Sequence, residues 1–248
     1  MLLNKEQIME IMKNEKYPLT LKYDPEWIIE NQMGSHCLWL QESLVQVMDI
    51  KPNMRILDLG CGKAISSIFL AKEFGVHVWA NDLWISASEN WERIRKAGVE
   101  NLVYPIHAES HKLPYADNFF DAIVSINSIQ FYGTDQLYLK NHLVKYVKSG
   151  GQIGIIVPGL YNEFDGNIPE YIKPYWENDF YTWHSPQWWS NHWGRTELVD
   201  IEIADTLPDN EGYEIFRKSE MMVNSEHKLV LADEGRNISF VRIIARKK

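Results

Sequence analysis

Apolar positions along the chain follow two rhythms that take turns. Residues 4–14 carry Ile8, Ile11 and Met12 at helical spacing, and residues 36–49 place Cys37, Leu40, Leu44 and Val47/Met48 on one stripe, so both predict amphipathic helices. Lys51-Pro52-Asn53 breaks the second helix. Residues 54–59 (MRILDL) are a short apolar run of strand formers, Gly60-Cys61-Gly62 turns, and residues 64–73 resume a helical period through Ile65, Ile68 and Phe69. The alternation then repeats: a strand over 76–80, a helix over 86–97 closed by Gly98, and strands over 102–107 and 120–126. A helix over 134–147 spaces Leu139, Leu143 and Val147 four apart, Ser149-Gly150-Gly151 ends it, and a strand covers 152–157. Strands separated by helices at this spacing predict an α/β fold, a doubly wound Rossmann-like sheet whose first, fourth and fifth strands are covered on both faces. Past Pro158 the period is lost through 183, in a stretch rich in Gly, Pro, Asn and aromatics. It returns as a strand over 197–204, a helix over 209–223 and a last strand over 238–245.

Composition narrows the function classes. The 248 residues fit one large domain, and 45% hydrophobic with 24% charged residues is ordinary for a folded chain. A formal net charge of −9 argues against a stable nucleic-acid partner, which needs a basic face to neutralise phosphates. Apolar runs fall far short of a membrane span, and the charged, interrupted N-terminus does not read as a secretory signal, so a cytoplasmic protein is expected. Two cysteines, Cys37 and Cys61, build neither a disulfide framework nor a multi-cysteine zinc site, and the eight histidines show no metal spacing. One feature is unusual: five of the ten tryptophans fall between Trp176 and Trp193.

The sharpest chemical signal is Asp58-Leu59-Gly60-Cys61-Gly62, a strand ending in an acid and followed by two alternate glycines before a helix. Glycines permit a tight turn and close approach of a ligand to the backbone, and the helix N-terminus adds free N–H groups. A second acid, Asp82, ends the next strand, where ribose hydroxyls are gripped in such folds. A dinucleotide fingerprint would need glycine at Ile65, so it fails. Asp58 also suits a cationic amino group better than a pyrophosphate. The pair therefore favours a nucleoside with a charged amino-acid tail.

On these residues the chain resembles the class I S-adenosylmethionine-dependent methyltransferases of the small-molecule subgroup, over roughly residues 30–160. RILDLGCGKA is similar to the first motif of that family, with Ala64 where a final glycine is usual. VWANDLW is similar to the second motif, and HAESHKLPY to the loop that follows the third strand. Residues 117–121 with AIVSINSIQFY, and KSGGQ at 148–152, resemble the entries to the fourth and fifth strands. The resemblance implies S-adenosyl-L-methionine as cofactor and a seven-stranded sheet with an antiparallel last strand. It implies cofactor contacts from Asp58, Gly60, Cys61, Gly62, Asp82, Leu83, Glu109, Ser110 and Asn127, with Glu109 near the adenine amino group in place of the usual aspartate. The end of the fourth strand, Ser125 to Gln130, would face the sulfonium.

The domain organisation expected is an N-terminal lid (1–35), a cofactor core (36–157), an aromatic cap (158–196) and C-terminal strands with an inserted segment (197–248). The cap follows strand five and so emerges at the ligand-binding edge of the sheet. Its Trp176, Tyr181 and Trp183 are candidates for substrate contact, with Tyr17, Tyr23 and Trp27 closing from the lid. A small satellite core is the equal alternative for the cap. Asn127, Gln130, His111, Tyr23 and His184 are the candidates for a catalytic group. Competing readings are a degenerate cofactor-binding module without catalysis and an NAD-dependent oxidoreductase. The methyl acceptor, the accepting atom and the oligomeric state are not legible.

Overall fold

The computed structural model describes residues 4–222 and 228–248. Seven strands make one sheet: β1 Arg55–Leu59, β2 His77–Asp82, β3 Val103–His107, β4 Phe120–Ile126, β5 Val147–Leu160, β6 Val199–Thr206 and β7 Ile238–Lys247, in the order β3-β2-β1-β4-β5-β7-β6. Neighbours from β3 to β5 are parallel, and β7 runs antiparallel to both β5 and β6. The helices are α1 Lys5–Met12, α2 Pro25–Asn31, α3 Cys37–Val45, α4 Ile65–Phe74, α5 Ala87–Ala97, α6 Pro186–Gly194, α7 Glu211–Met222 and α8 Lys228–Asp233. The doubly wound sheet with an antiparallel last strand is therefore present. No helix among the described residues is long and apolar enough to cross a membrane.

Period-two alternation along the central strands feeds two apolar layers, because successive side chains leave opposite faces of a sheet. Ile56, Val124 and Ile156 pack with Leu40, Phe69 and Phe240 on one face. Leu57, Ile123 and Ile155 pack with Leu143, Trp189 and Trp193 on the other. Each fully buried side chain of this size contributes about 2 kcal/mol of apolar transfer. Local signals set the element ends. Ser86 and Glu89 form a capping box at the start of α5, and Gly98 ends it in the left-handed region at φ 70°. At the far edge the Arg242 guanidinium donates to both oxygens of Asp205 (3.0 and 2.7 Å) and to the Ser43 carbonyl (3.0 Å), tying β7 to β6 and α3.

Several elements differ from the sequence expectation. The helix expected over 134–147 is replaced by a turn, a π-helical stretch Leu139–Leu143 and a 3-10 turn Val144–Tyr146. The Asp135 carboxylate accepts the Leu137 N–H (2.7 Å), which delays helix entry. The wider turn keeps Tyr138, Leu139, Leu143 and Tyr146 buried against the sheet. β5 consequently begins at Val147 and runs to Leu160, beyond the expected 152–157. α2 is an added helix, started by the Asp24 side chain and Pro25. The helix expected to end at Val223 is α7; Val223 lies outside the described residues. In the cap, Phe180 and Trp183 join the α3-side core, and Trp189 and Trp193 of α6 join the opposite one. The tryptophan-rich stretch thus packs on both faces of the sheet.

α3 starts at a buried histidine. His36 Nδ1 accepts the Trp39 N–H (3.2 Å), its ring stacks on Trp39 (3.8 Å between centroids), and its own N–H donates to the Ser219 hydroxyl (2.9 Å). Burial pushes the imidazole down from the usual 6.5 to about 3. The unfolded chain therefore takes up a proton that the folded chain refuses between pH 6.5 and 3. This contribution to stability is complete above pH 6.5 and declines as pH falls. Urea titrations of wild type and His36→Asn, which keeps a side-chain cap, should diverge. Between pH 6.5 and 5 the wild type should lose about 2 kcal/mol more than the variant; parallel pH profiles would contradict a buried neutral imidazole.

Candidate functional site

Strand order reverses between β1 and β4, and a crevice opens beyond the carboxyl ends of parallel strands at such a point. A cleft of about 250 Å³ lies there. Its walls come from the segments that follow four strands: Gly60–Lys63 after β1, Asn81–Trp84 at the end of β2, Ala108 and Ser110 after β3, and Ile126–Ser128 at the end of β4.

The glycine turn is held from three directions. Gly60 and Cys61 donate their N–H groups to the Asn81 carbonyl (2.8 and 3.0 Å). Gly62 donates its N–H to Asp82 Oδ2 (2.8 Å), and its carbonyl accepts from Asn90 Nδ2 (2.9 Å). Asp82 Oδ1 accepts the N–H groups of Trp84 (2.7 Å) and Ile85 (2.9 Å). One carboxylate therefore orients two loops at once, and its side chain lines the cleft. Gly60 has φ 77°, and a Cβ there would sit 1.9 Å from Ser128 Oγ, so both its backbone angle and its surroundings require glycine. Ala64 occupies the left-handed region at φ 60° without a glycine, as the N-cap of α4.

Asp58 stands elsewhere than the sequence reading placed it. It is fully buried behind the turn and does not line the cleft. Its Oδ2 accepts the hydroxyls of Ser66 and Ser67 (2.6 Å each), anchoring the first turn of α4. Burial pushes its carboxyl up to about 6, against the pull of those two hydroxyls. Period two explains the placement: Asp58 shares a sheet face with Ile56, under α4, while the chain turns toward the cleft only at Gly60. Glu109 also points outward, exposed and paired with His111 (3.3 Å), whereas its neighbour Ser110 lines the cleft as expected. Gly60, Cys61, Gly62, Asp82, Leu83, Ser110 and Asn127 are brought together on one cleft.

Asn127 is the member of that group with open hydrogen-bonding capacity. Its φ is 52°, and both its amide atoms are buried with no partner among the described residues. A buried amide in this state costs the desolvation of its polar atoms unless a ligand supplies the bonds. Of the other catalytic candidates, Tyr23 donates its hydroxyl to Glu73 (3.1 Å) and packs on Phe69. His184 stacks on Trp188 (3.7 Å) and contacts Glu163 (3.1 Å), and His111 sits among Tyr138 and His142. None of these three lines the cleft, and neither does Gln130, which is buried beside it.

The N-terminal segment closes the cleft with residues other than the expected aromatics. Asn31, Met33 and Cys37 line it. Tyr17 is buried against Trp39 (6.0 Å), and Tyr23 stacks with Trp27 (5.8 Å), away from the cleft. Lys63 Nζ donates to the Glu30 carbonyl (2.8 Å) and Arg93 Nε to Asn31 Oδ1 (3.2 Å), which secure the segment. Trp176 and Trp183 pack in the core beside Phe180, while Tyr181 is exposed; none of the three lines the cleft. Asn31, Met33, Trp84, Phe131 and Tyr132 were missed from sequence because their place depends on how distant segments meet. Trp84, two residues after Asp82 and 74% exposed, was the one with a local signal.

Three further groups on the cleft could titrate, and burial keeps each neutral. The Cys37 thiol is pushed up to about 12, and Cys61 and the Tyr132 hydroxyl are raised as well. The Tyr132 hydroxyl hydrogen-bonds Ser128 Oγ (3.0 Å).

Comparison with known proteins agrees with this geometry. Residues 56–151 match a family described as methyltransferase domain. A glycine/sarcosine/dimethylglycine N-methyltransferase of Actinopolyspora halophila is 33% identical over 107 residues, covering 43% of this chain and 19% of that protein. A demethylmenaquinone methyltransferase of Listeria welshimeri is 30% identical over 152 residues, covering 56% of this chain and 61% of that protein. The aligned part is half or less of the first curated relatives' own length, at 19%, 42% and 50%. A solved geranyl diphosphate C-methyltransferase from Streptomyces coelicolor A3(2) superposes with a TM-score of 0.70 at 17% identity, covering 100% of this chain and 86% of that one, which speaks to the fold.

Proposed function

From a chain with the class I methyltransferase fold, whose residues 56–151 match the methyltransferase-domain family, we propose that the cleft binds S-adenosyl-L-methionine and transfers its methyl group to a small-molecule acceptor. The observation that carries the reading is the Asp82 carboxylate fixed between the glycine turn and the β2–α5 loop, at the reversal of strand order. The residues fit the cofactor on two counts. Gly60 and Gly62 leave bare backbone at the wall, and the Asn127 amide is buried in the cleft with no partner among the described residues. Asp82 would hold the ribose hydroxyls, Leu83 would cover the adenine, the Ser110 backbone would meet its ring edge, and the Gly60–Gly62 turn would receive the amino-acid tail. Bound S-adenosylmethionine supplies an activated methyl carbon on a sulfonium.

The chain's own contribution is orientation and exclusion of water. Asn31, Met33 and Cys37 close the cleft, and the Lys63 and Arg93 bonds hold that closure. The buried thiols and the Tyr132 hydroxyl on the wall stay protonated at neutral pH, and Asp82 is taken up by three N–H groups and, with the cofactor bound, by the ribose hydroxyls it would hold. No side chain on the wall is thus free to act as a general base, which favours an acceptor whose reacting atom is already nucleophilic. The relatives whose names specify an acceptor act on small molecules, which supports the same class here.

Titration calorimetry with S-adenosylhomocysteine should show one site per chain and no comparable heat with NAD. Incubation of the protein with methyl-labelled cofactor and a cell metabolite extract should give a labelled small product. Absence of S-adenosylhomocysteine binding, or tight NAD binding in its place, would overturn the reading.

A further inference from the structure

Two large aromatic side chains on the cleft have no part in the cofactor reading. Trp84 and Phe131 both line it, yet they remain 74% and 50% exposed. Leu83, beside Trp84 on the same wall, is 54% exposed. A single exposed apolar side chain is ordinary, but three on the wall of one opening mark a binding surface. Neither aromatic has a ring partner among the described residues. Trp79, Trp176 and Trp188, by contrast, each pack against other rings of the fold.

Both rings stand on fixed backbone. The Trp84 N–H donates to Asp82 Oδ1 (2.7 Å), and the Phe131 N–H donates to the Ser128 carbonyl (3.1 Å). A 3-10 turn of the cap, Asn178–Thr182, packs against the turn Ile129–Phe131. The rim is therefore preorganised while its faces stay uncovered.

The positions of the two rings flank the reacting region. Trp84 follows Asp82 and Leu83, which would hold the ribose and the adenine. Phe131 follows Ile126–Ser128, the wall at the end of β4 expected to face the sulfonium. Aromatic faces gain most from a flat apolar partner, through buried area and offset stacking. Lys63 keeps its ammonium on the same cleft, bonded to the Glu30 carbonyl, so an apolar body and a charged group on one acceptor are compatible.

We propose that the methyl acceptor carries a flat, apolar ring body that seats on Trp84 and Phe131 at the mouth of the cleft, with its reacting atom turned inward. This rests on the cofactor reading above, and the measurements that follow separate the two.

The full chain, saturated with S-adenosylhomocysteine, is titrated with 2-naphthol, phenol, glycine and ethanolamine. 2-Naphthol should bind at one site per chain, about ten-fold more tightly than phenol, because its second ring covers more of the rim. Glycine and ethanolamine should give no heat. Trp84→Ala and Phe131→Ala should each weaken 2-naphthol about ten-fold or more, and Trp84→Phe and Phe131→Tyr should keep most of the affinity. Both side chains are half exposed or more, so the alanine variants should hold their Tm within about 2 °C and their S-adenosylhomocysteine affinity within about three-fold. With methyl-labelled cofactor and a cell metabolite extract, the labelled product should partition into octanol. Phenol binding as tightly as 2-naphthol, binding of glycine or ethanolamine in preference, 2-naphthol affinity unchanged in both alanine variants, or label confined to the aqueous phase overturns the proposal while the cofactor reading stands. Loss of S-adenosylhomocysteine binding in step with 2-naphthol in the alanine variants also overturns it, since the rim would then belong to the cofactor. Failure of the wild-type protein to bind S-adenosylhomocysteine removes both.

Discussion

Replacing Asp82 by alanine should weaken S-adenosylhomocysteine binding at least 100-fold. The carboxylate accepts three backbone N–H groups, from Gly62, Trp84 and Ile85, at 2.7–2.9 Å. Charge-assisted bonds of this kind are worth about 1.5–3 kcal/mol each, and an N–H left unpaired keeps its desolvation penalty. Alanine frees the glycine turn and the β2–α5 loop together, so both walls of the cleft lose their common tether. The same change should cost about 2–4 kcal/mol of stability in urea. Asp82→Asn separates the contributions. Its carbonyl oxygen can still serve Trp84 and Ile85, but its amino group cannot accept the Gly62 N–H, so binding should fall between wild type and Asp82→Ala. Calorimetry on the three proteins decides; unchanged affinity in Asp82→Ala would remove the basis of the functional reading.

The second large effect is steric. Gly60→Ala places a methyl 1.9 Å from Ser128 Oγ and 2.3 Å from Ser128 Cβ, at a residue with φ 77°. The left-handed backbone costs an alanine about 1–2 kcal/mol, and the overlap adds a further ~1–3 kcal/mol. Ser128 can escape only by breaking its contact with the Tyr132 hydroxyl. We expect a loss of about 2–4 kcal/mol in urea denaturation and a cleft that no longer takes S-adenosylhomocysteine at micromolar concentration. Adding Ser128→Gly removes the overlap and leaves the backbone penalty, so the double variant should recover roughly half of the lost stability. A single variant within 0.5 kcal/mol of wild type (about one kT unit of free energy) would refute this packing.

Much of the site was legible because it is carried by contiguous residues. Gly60, Gly62 and Asp82 lie at the ends of the two strands from which they were read, and the Gly98 helix stop has the left-handed backbone that such a cap requires. Asp58 shows where local reading stops. Its spacing to the glycines is as expected, yet its side chain turns under α4 to Ser66 and Ser67 rather than toward the cleft. Glu109 and Ser110 were both expected at the cofactor and only Ser110 lines the cleft, for a similar reason: which of two adjacent loop residues faces inward depends on the neighbours of the loop, and Glu109 turns out to His111 and Lys112. The aromatic cap offered two readings, and Trp183 packs on Phe216 of α7, a partner 33 positions away that no window of sequence contains.

By itself the sequence determined the strands of the sheet, the helices after β1 and β2, the glycine turn and the acid that ends β2, because periodicity and turn chemistry act over a few residues. Only the tertiary structure decided that Met33 and Cys37 close the cleft, that Tyr17 and Tyr23 do not, and that Asn127 presents a buried amide with no partner among the described residues. Those facts depend on how the N-terminal segment, α3 and the end of β4 pack together, and packing between distant segments follows from shape and burial across the whole chain rather than from any local pattern.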